Sequence, residues 1–226
     1  MLQLRVHRSE LTYEVALSPT FAVLIDTPGK VVSALLSEFD HLGVGVSDVS
    51  MDDGPLEDKG LSCDVEKLDA SILLRADGLE IRFFPVDETG DDAAEAIRGV
   101  WKAMGSTSPE ATAKSHLFLF EMDCELPTGS YRSAQDLYCR PHENLPKGTE
   151  TAVVYYLPKD GSQGFLDSSF VLNRSAEVDG GVLLAVMLVF EGQPVRPEGL
   201  VQAGRERLRD LLRNLDITVK DSQAGS

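Results

Sequence analysis

The segment HLFLFEMDCEL, residues 116 to 126, constrains this chain more than any other. Phe118, Phe120, Met122, Cys124 and Leu126 occupy every second position, and Glu121, Asp123 and Glu125 fill positions between them. A period of two sends the two sets to opposite faces of a β-strand. One face then needs a core and the other needs water, a division that antiparallel sheets tolerate and parallel sheets do not.

The same alternation recurs along the chain. Leu11, Tyr13, Val15 and Leu17 alternate with Thr12, Glu14 and Ala16. Ser18-Pro19-Thr20 interrupts this strand, and Phe21 to Ile25 is expected to resume it. Strands are expected at 71–75 and 79–85 around an Ala76-Asp77-Gly78 turn, with weaker ones in 44–68. Others are expected at 151–157, 165–173 and 182–190. Helices interleave with them. Thr27-Pro28 opens one that Gly43 ends. A second starts near Asp92 with Glu95 three residues on, carries Ile97, Val100, Trp101 and Met104 on one side, and stops at Gly105. A short one is expected at 130–138. The last opens at Pro197-Glu198 with a stripe from Leu200 to Leu215.

Hairpins followed by helices, without strand–helix–strand units, predict an α+β fold. The order of elements repeats, which predicts two similar halves, each an antiparallel sheet with helices packed on one face. The expected division is a first half over 1–105, a small polar linker over 106–115, a second half over 116–220 and a disordered tail over 221–226.

Charge narrows the function classes. The chain holds 37 acidic and 21 basic residues, a net charge of −16. Such a surface repels nucleic acid, whose binding depends on cations that neutralise phosphates, and it repels anionic membrane. It steers a basic protein partner instead. The longest apolar run, Val182 to Phe190, is nine residues, against about 20 for a membrane-spanning helix. The N-terminal residues lack a signal-peptide core. Three scattered cysteines without a CxxC suit reduced thiols. A cytoplasmic protein is expected.

Motifs for chemistry are sparse. Cys139, Arg140, His142 and Glu143 crowd one loop between Pro127 and Pro146, but no second ligand pair follows for zinc and no orienting third group is in sight for a cysteine nucleophile. Residues 25 to 33, IDTPGKVVS, sit where a phosphate loop would, yet Leu24 and Val31 replace the required glycine and hydroxyl. Asp52, Asp53, Glu57 and Asp58 form an acidic loop that fails the calcium-loop frame at Asp53 and Lys59. Arg205, Arg209 and Arg213 recur every four residues along the last helix, flanking its apolar stripe.

No catalytic residue, metal or cofactor is expected. The sequence points to a non-catalytic, acidic protein-binding module of chaperone, adaptor or toxin-neutralising type. Its partner is expected to present a basic or extended surface. Glu121, Asp123 and Glu125, together with Asp52, Asp53, Glu57 and Asp58, are the expected contact residues. Two alternatives remain: a binder of a small apolar ligand, enclosed by the strands and the last helix, and an enzyme of unfamiliar type using the 139–143 loop.

Overall fold

The computed structural model describes residues 2–52, 59–86, 90–127, 131–138, 149–157, 165–192 and 196–221. It is an α+β protein built on one large, mostly antiparallel sheet. The strands are β1 (Leu2–Ser18), β2 (Val49–Met51), β3 (Gly60–Val65), β4 (Ala70–Arg75), β5 (Gly78–Phe83), β6 (Thr112–Glu125), β7 (Val153–Leu157), β8 (Phe165–Arg174), β9 (Val182–Glu191) and β10 (Ile217–Asp221). The helices are α1 (Val23–Asp26), α2 (Pro28–Phe39), α3 (Asp91–Thr107), α4 (Tyr131–Tyr138) and α5 (Gly199–Asn214). No described helix is long and apolar enough to cross a membrane.

The strand order is β2-β3-β4-β5-β1-β6-β9-β8-β7, and β10 pairs in parallel with the start of β1. The long strands β1 and β6 pair from Arg5–Glu125 to Ser18–Thr112 at the centre. The sheet therefore runs unbroken from the first half of the chain into the second. Residues 106–115, expected as a linker, hold the end of α3, a short turn and the beginning of β6.

One face of the sheet carries the core. Leu11, Tyr13 and Val15 of β1, Phe118 and Phe120 of β6, and Val182, Leu184, Val186 and Leu188 of β9 are all buried there. Against them pack Val31, Leu35 and Phe39 of α2, Ile97 and Val100 of α3, Ala134 of α4, and Leu200 and Val201 of α5. These positions recur at the helical spacing that the apolar stripes predict. Two glycines set the close approaches. A Cβ at Gly99 would lie 2.5 Å from the Phe39 ring, so α2 and α3 touch there. A Cβ at Gly204 would lie 3.2 Å from Phe120, which brings α5 down onto β6 and β9.

Several local expectations change. Residues 23–26 form a helix, not a resumed strand. Pro19 cannot donate to the strand ladder and ends β1; the chain then turns into α1, whose Leu24 is buried beneath the sheet. Residues 2–10 also belong to β1, where β10 supplies a parallel neighbour to Leu2–Val6 and β6 pairs from Arg5 onward. The β10 pairing joins the two ends of the chain, so a local pattern does not reveal it. α3 runs through Gly105 to Thr107, since a lone glycine costs only about 1 kcal/mol in a helix. Gly43 ends the first long helical segment as expected, in a left-handed conformation at φ 83° after a short 3-10 turn.

Candidate interaction surface

The face of the sheet opposite the helices is open among the described residues. The register fixes what stands on it, because paired residues share a face. Across the middle run Glu80, Glu14, Leu117, Val189 and Asp167, side by side. The next row is Arg82, Thr12, Leu119, Met187, Ser169 and Tyr156. Below it come Glu10, Glu121, Ala185, Val171 and Val154, then Arg8, Asp123, Leu183 and Asn173.

These rows divide the face in two. Over β6, β9, β8 and β7 it is mainly apolar: Leu117, Leu119, Leu183, Met187, Val189 and Val171 are half-buried, with Asp167, Ser169 and Asn173 of β8 and Glu121 and Asp123 of β6 among them. Val154 and Tyr156 on the outer strand are 45% and 81% exposed. None of these side chains belongs to the core that the helices cover. Over β1 and β5 the face is charged, with Glu14 beside the ion pairs Arg8–Glu10 and Arg82–Glu80. The boundary between the two regions runs between β1 and β6.

A recess lies on this boundary at one end of the sheet. Gly78, Ala16 and Ser115 are register neighbours on β5, β1 and β6 and have little or no side chain. They leave a hollow of about 290 Å³ walled by Leu73, Leu117, Glu14, Glu80 and Arg75. Backbone crowding keeps Gly78 small: a Cβ there would come within 2.9 Å of the Val15 carbonyl oxygen.

The expected carboxylates fall at the other end of the same boundary. Glu121 faces Glu10 directly across the β1–β6 pair. Partial burial, Glu10 and Asp123 push the Glu121 carboxyl above its ordinary range, and Arg8 opposes them. Asp123 accepts a hydrogen bond from Ser175 Oγ at 2.6 Å, and that oxygen in turn accepts from the backbone N–H groups of Glu177 and Val178. Glu125 lies 3.9 Å from Arg5. Arg8 contacts Glu10 at 3.2 Å and Glu177 at 3.7 Å, and its guanidinium covers the exposed Phe84 ring at 4.7 Å.

The acidic loop does not join this group. Asp52 follows β2 at the far edge of the sheet, five strands away from β6. At ~4.8 Å per strand that is about 24 Å. Asp53, Glu57 and Asp58 lie outside the described residues, as do Cys139, Arg140, His142 and Glu143 of the polar loop. The arginine stripe of α5 sits on the helix side. Arg205 packs over Gly90. Arg205 and Arg209 line a groove of about 310 Å³ against Val6, Phe120 and Met122, and the same groove reaches Glu10 and Glu121. Arg213 contacts Asp210 at 3.2 Å.

Buried polar chemistry is concentrated at one place. Trp101 Nε1–H donates to the Tyr13 hydroxyl at 3.1 Å, and Tyr13 lies 2.7 Å from His116 Nδ1. His116 Nε2 lies 3.1 Å from the Gly192 carbonyl oxygen. One assignment satisfies every group: the hydroxyl donates to Nδ1, and Nε2–H donates to the carbonyl. This is the neutral imidazole, and burial pushes its pKa down to about 4. The same burial raises Tyr13. The chain Trp101–Tyr13–His116 ties α3 to the two central strands and has no opening to solvent at His116, which is fully buried. Cys63 and Cys124 are buried thiols pushed up by burial to about 11 and about 12. No cluster of three or more His, Cys, Asp or Glu with metal-binding geometry occurs among the described residues.

Sequence reasoning missed the apolar half of the open face. Its signal was present: Val182 to Phe190 is apolar at every position, so both sides of that strand need cover. Leu117 and Leu119 add to it from β6. The even positions are covered by helices, and the odd positions form the open patch.

No family model matches this chain, and no curated protein matches its sequence. Among solved structures it is similar to Methanococcus jannaschii TBP, with a TM-score of 0.31 and 10% identity over 95% of this chain and 98% of that chain.

Proposed function

We propose that this protein is a non-catalytic binding module of the cytoplasm, of chaperone, adaptor or toxin-neutralising type, and that it holds a protein partner on the open face of its sheet. The observation that carries this is the contiguous apolar patch over β6, β9, β8 and β7, which no described element covers. A patch of that kind on a soluble surface marks an interaction site. The charged rows over β1 and β5, one carboxylate in excess, orient the partner, because charges at an interface rim govern encounter and register more than affinity. Glu121 and Asp123 act at the boundary, and Glu125 beyond it.

The strand order also supports two similar halves within this design. β1 and β6 are central neighbours, flanked by β5 and β9 in turn. Each half supplies one long strand, an antiparallel set and a helix that follows it.

The test is affinity capture from the native cells with the wild type and with a Leu119→Asp/Met187→Asp variant. A partner held in stoichiometric amount by the wild type and lost from the variant is the expected result. A partner retained equally by both would remove the open face from the account.

A further inference from the structure

We infer that the segment of the partner that covers the open face is an amphipathic helix with lysine or arginine along one flank, which rests on the open face being the contact surface. Helices already cover the other side of this sheet, and a sheet with apolar residues on both faces is completed by helices on both. The patch has the dimensions of one helix. Leu183 to Val189 on β9 spans six residue steps, about 20 Å at ~3.3 Å each, which is the length of a helix of about 13 residues.

Charge selects the flank. On the β1 side of the patch stand Glu10 and Glu80, paired with Arg8 and Arg82, and Glu14 between them, so a helix lying on β6 and β9 meets a rim with one carboxylate in excess along that side. The recess at Gly78, Ala16 and Ser115 gives one basic side chain of that flank a place. Its aliphatic stem lies against Leu73 and Leu117, and its charge reaches a wall where Glu14, Asp77 and Glu80 outnumber Arg75. A second copy of this chain is a poorer occupant, because each copy brings a net charge of −16 to the contact. Nucleic acid is opposed by the same carboxylates.

The experiment uses two fluorescein-labelled 14-residue helical peptides with an identical leucine stripe, one with lysines and one with glutamates on the flank. Binding to the whole protein is read by fluorescence anisotropy, and self-association by sedimentation. The lysine peptide is expected to bind, to weaken at least tenfold between low and high salt, and to outbind the glutamate peptide at least tenfold. Glu14→Lys and Ala16→Leu, both at exposed positions, are each expected to reduce lysine-peptide binding severalfold. Equal affinity for the two peptides, no binding of either, or a dimer of the wild type that Met187→Asp dissociates would overturn the inference. Capture of a partner that Met187→Asp abolishes but Glu14→Lys and Ala16→Leu leave untouched would refute the basic helix while leaving the contact surface standing.

Discussion

Replacing His116 by phenylalanine tests the buried network with a sign that is hard to mimic. In the folded protein His116 is neutral, with a pKa pushed down to about 4 by burial. In the unfolded chain it titrates near 6.5. The unfolded state therefore binds a proton first as pH falls. Stability that is fully present above about 6.5 is lost progressively and the loss levels off below about 4. The linkage relation gives a loss of about 2 kcal/mol by pH 5 and about 3 kcal/mol by pH 4 from this one side chain. The phenylalanine variant lacks the term. At pH 7.5 it is less stable than the wild type by about 1–3 kcal/mol, because the Tyr13 hydroxyl loses its buried acceptor. As pH falls the wild type loses its advantage and the variant does not. The carboxylates titrate alike in both proteins and cancel in the difference. Urea unfolding at pH 7.5, 5 and 4 is therefore expected to show the wild-type advantage falling by about 3 kcal/mol over this range, so that it closes or reverses by pH 4. A gap that stays constant with pH would refute a neutral buried His116.

Three further outcomes follow from the packing and the charges. Gly99→Ala places a methyl group 2.5 Å from the Phe39 ring; against a helix-propensity gain of about 1 kcal/mol and overpacking of about 1–3 kcal/mol, a lowered melting temperature is expected, and an unchanged or raised one would contradict the α2–α3 contact. Cys63 and Cys124 are expected to resist a thiol reagent at pH 8 in the native protein and to react fully in denaturant, because burial holds both as thiols; rapid native labelling of either contradicts their placement. Glu10→Gln removes a carboxylate that raises Glu121, so the Glu121 carboxyl, followed by carbon NMR, is expected to titrate at lower pH in the variant than in the wild type.

The alternation of HLFLFEMDCEL was enough to place β6 and to separate its two faces, because a strand's period is a local property. The same holds for the 71–85 hairpin, for the short helix at 131–138 and for the apolar stripe of α5. What local pattern cannot carry is the neighbour relation. β10 returns to the start of β1 from the other end of the chain, and β1 pairs with β6 across separations of 94 to 120 residues. Those two pairings decide that the sheet is continuous and that residues 2–10 are strand. The candidate surface was half legible for the same reason. Glu121 and Asp123 read correctly as a face of one strand, but their partners Glu10 and Arg8 are supplied by register. Register also separates Asp52 from them by the width of five strands. The apolar rows of Leu117, Leu119, Met187 and Val189 were visible as hydrophobic residues. That they stand on the uncovered side became visible only once the helices were seen to occupy the other.

The measurement that bears most directly on the central claim is photo-crosslinking in the native cells from two single positions. A photoreactive residue at 187 lies on the open face of β9, and one at 37 lies on the exposed side of α2, across the sheet from it. A discrete adduct with a protein partner is expected from position 187 and none from position 37. An adduct from 37 alone would contradict the open face as the contact surface and move it to the helical side.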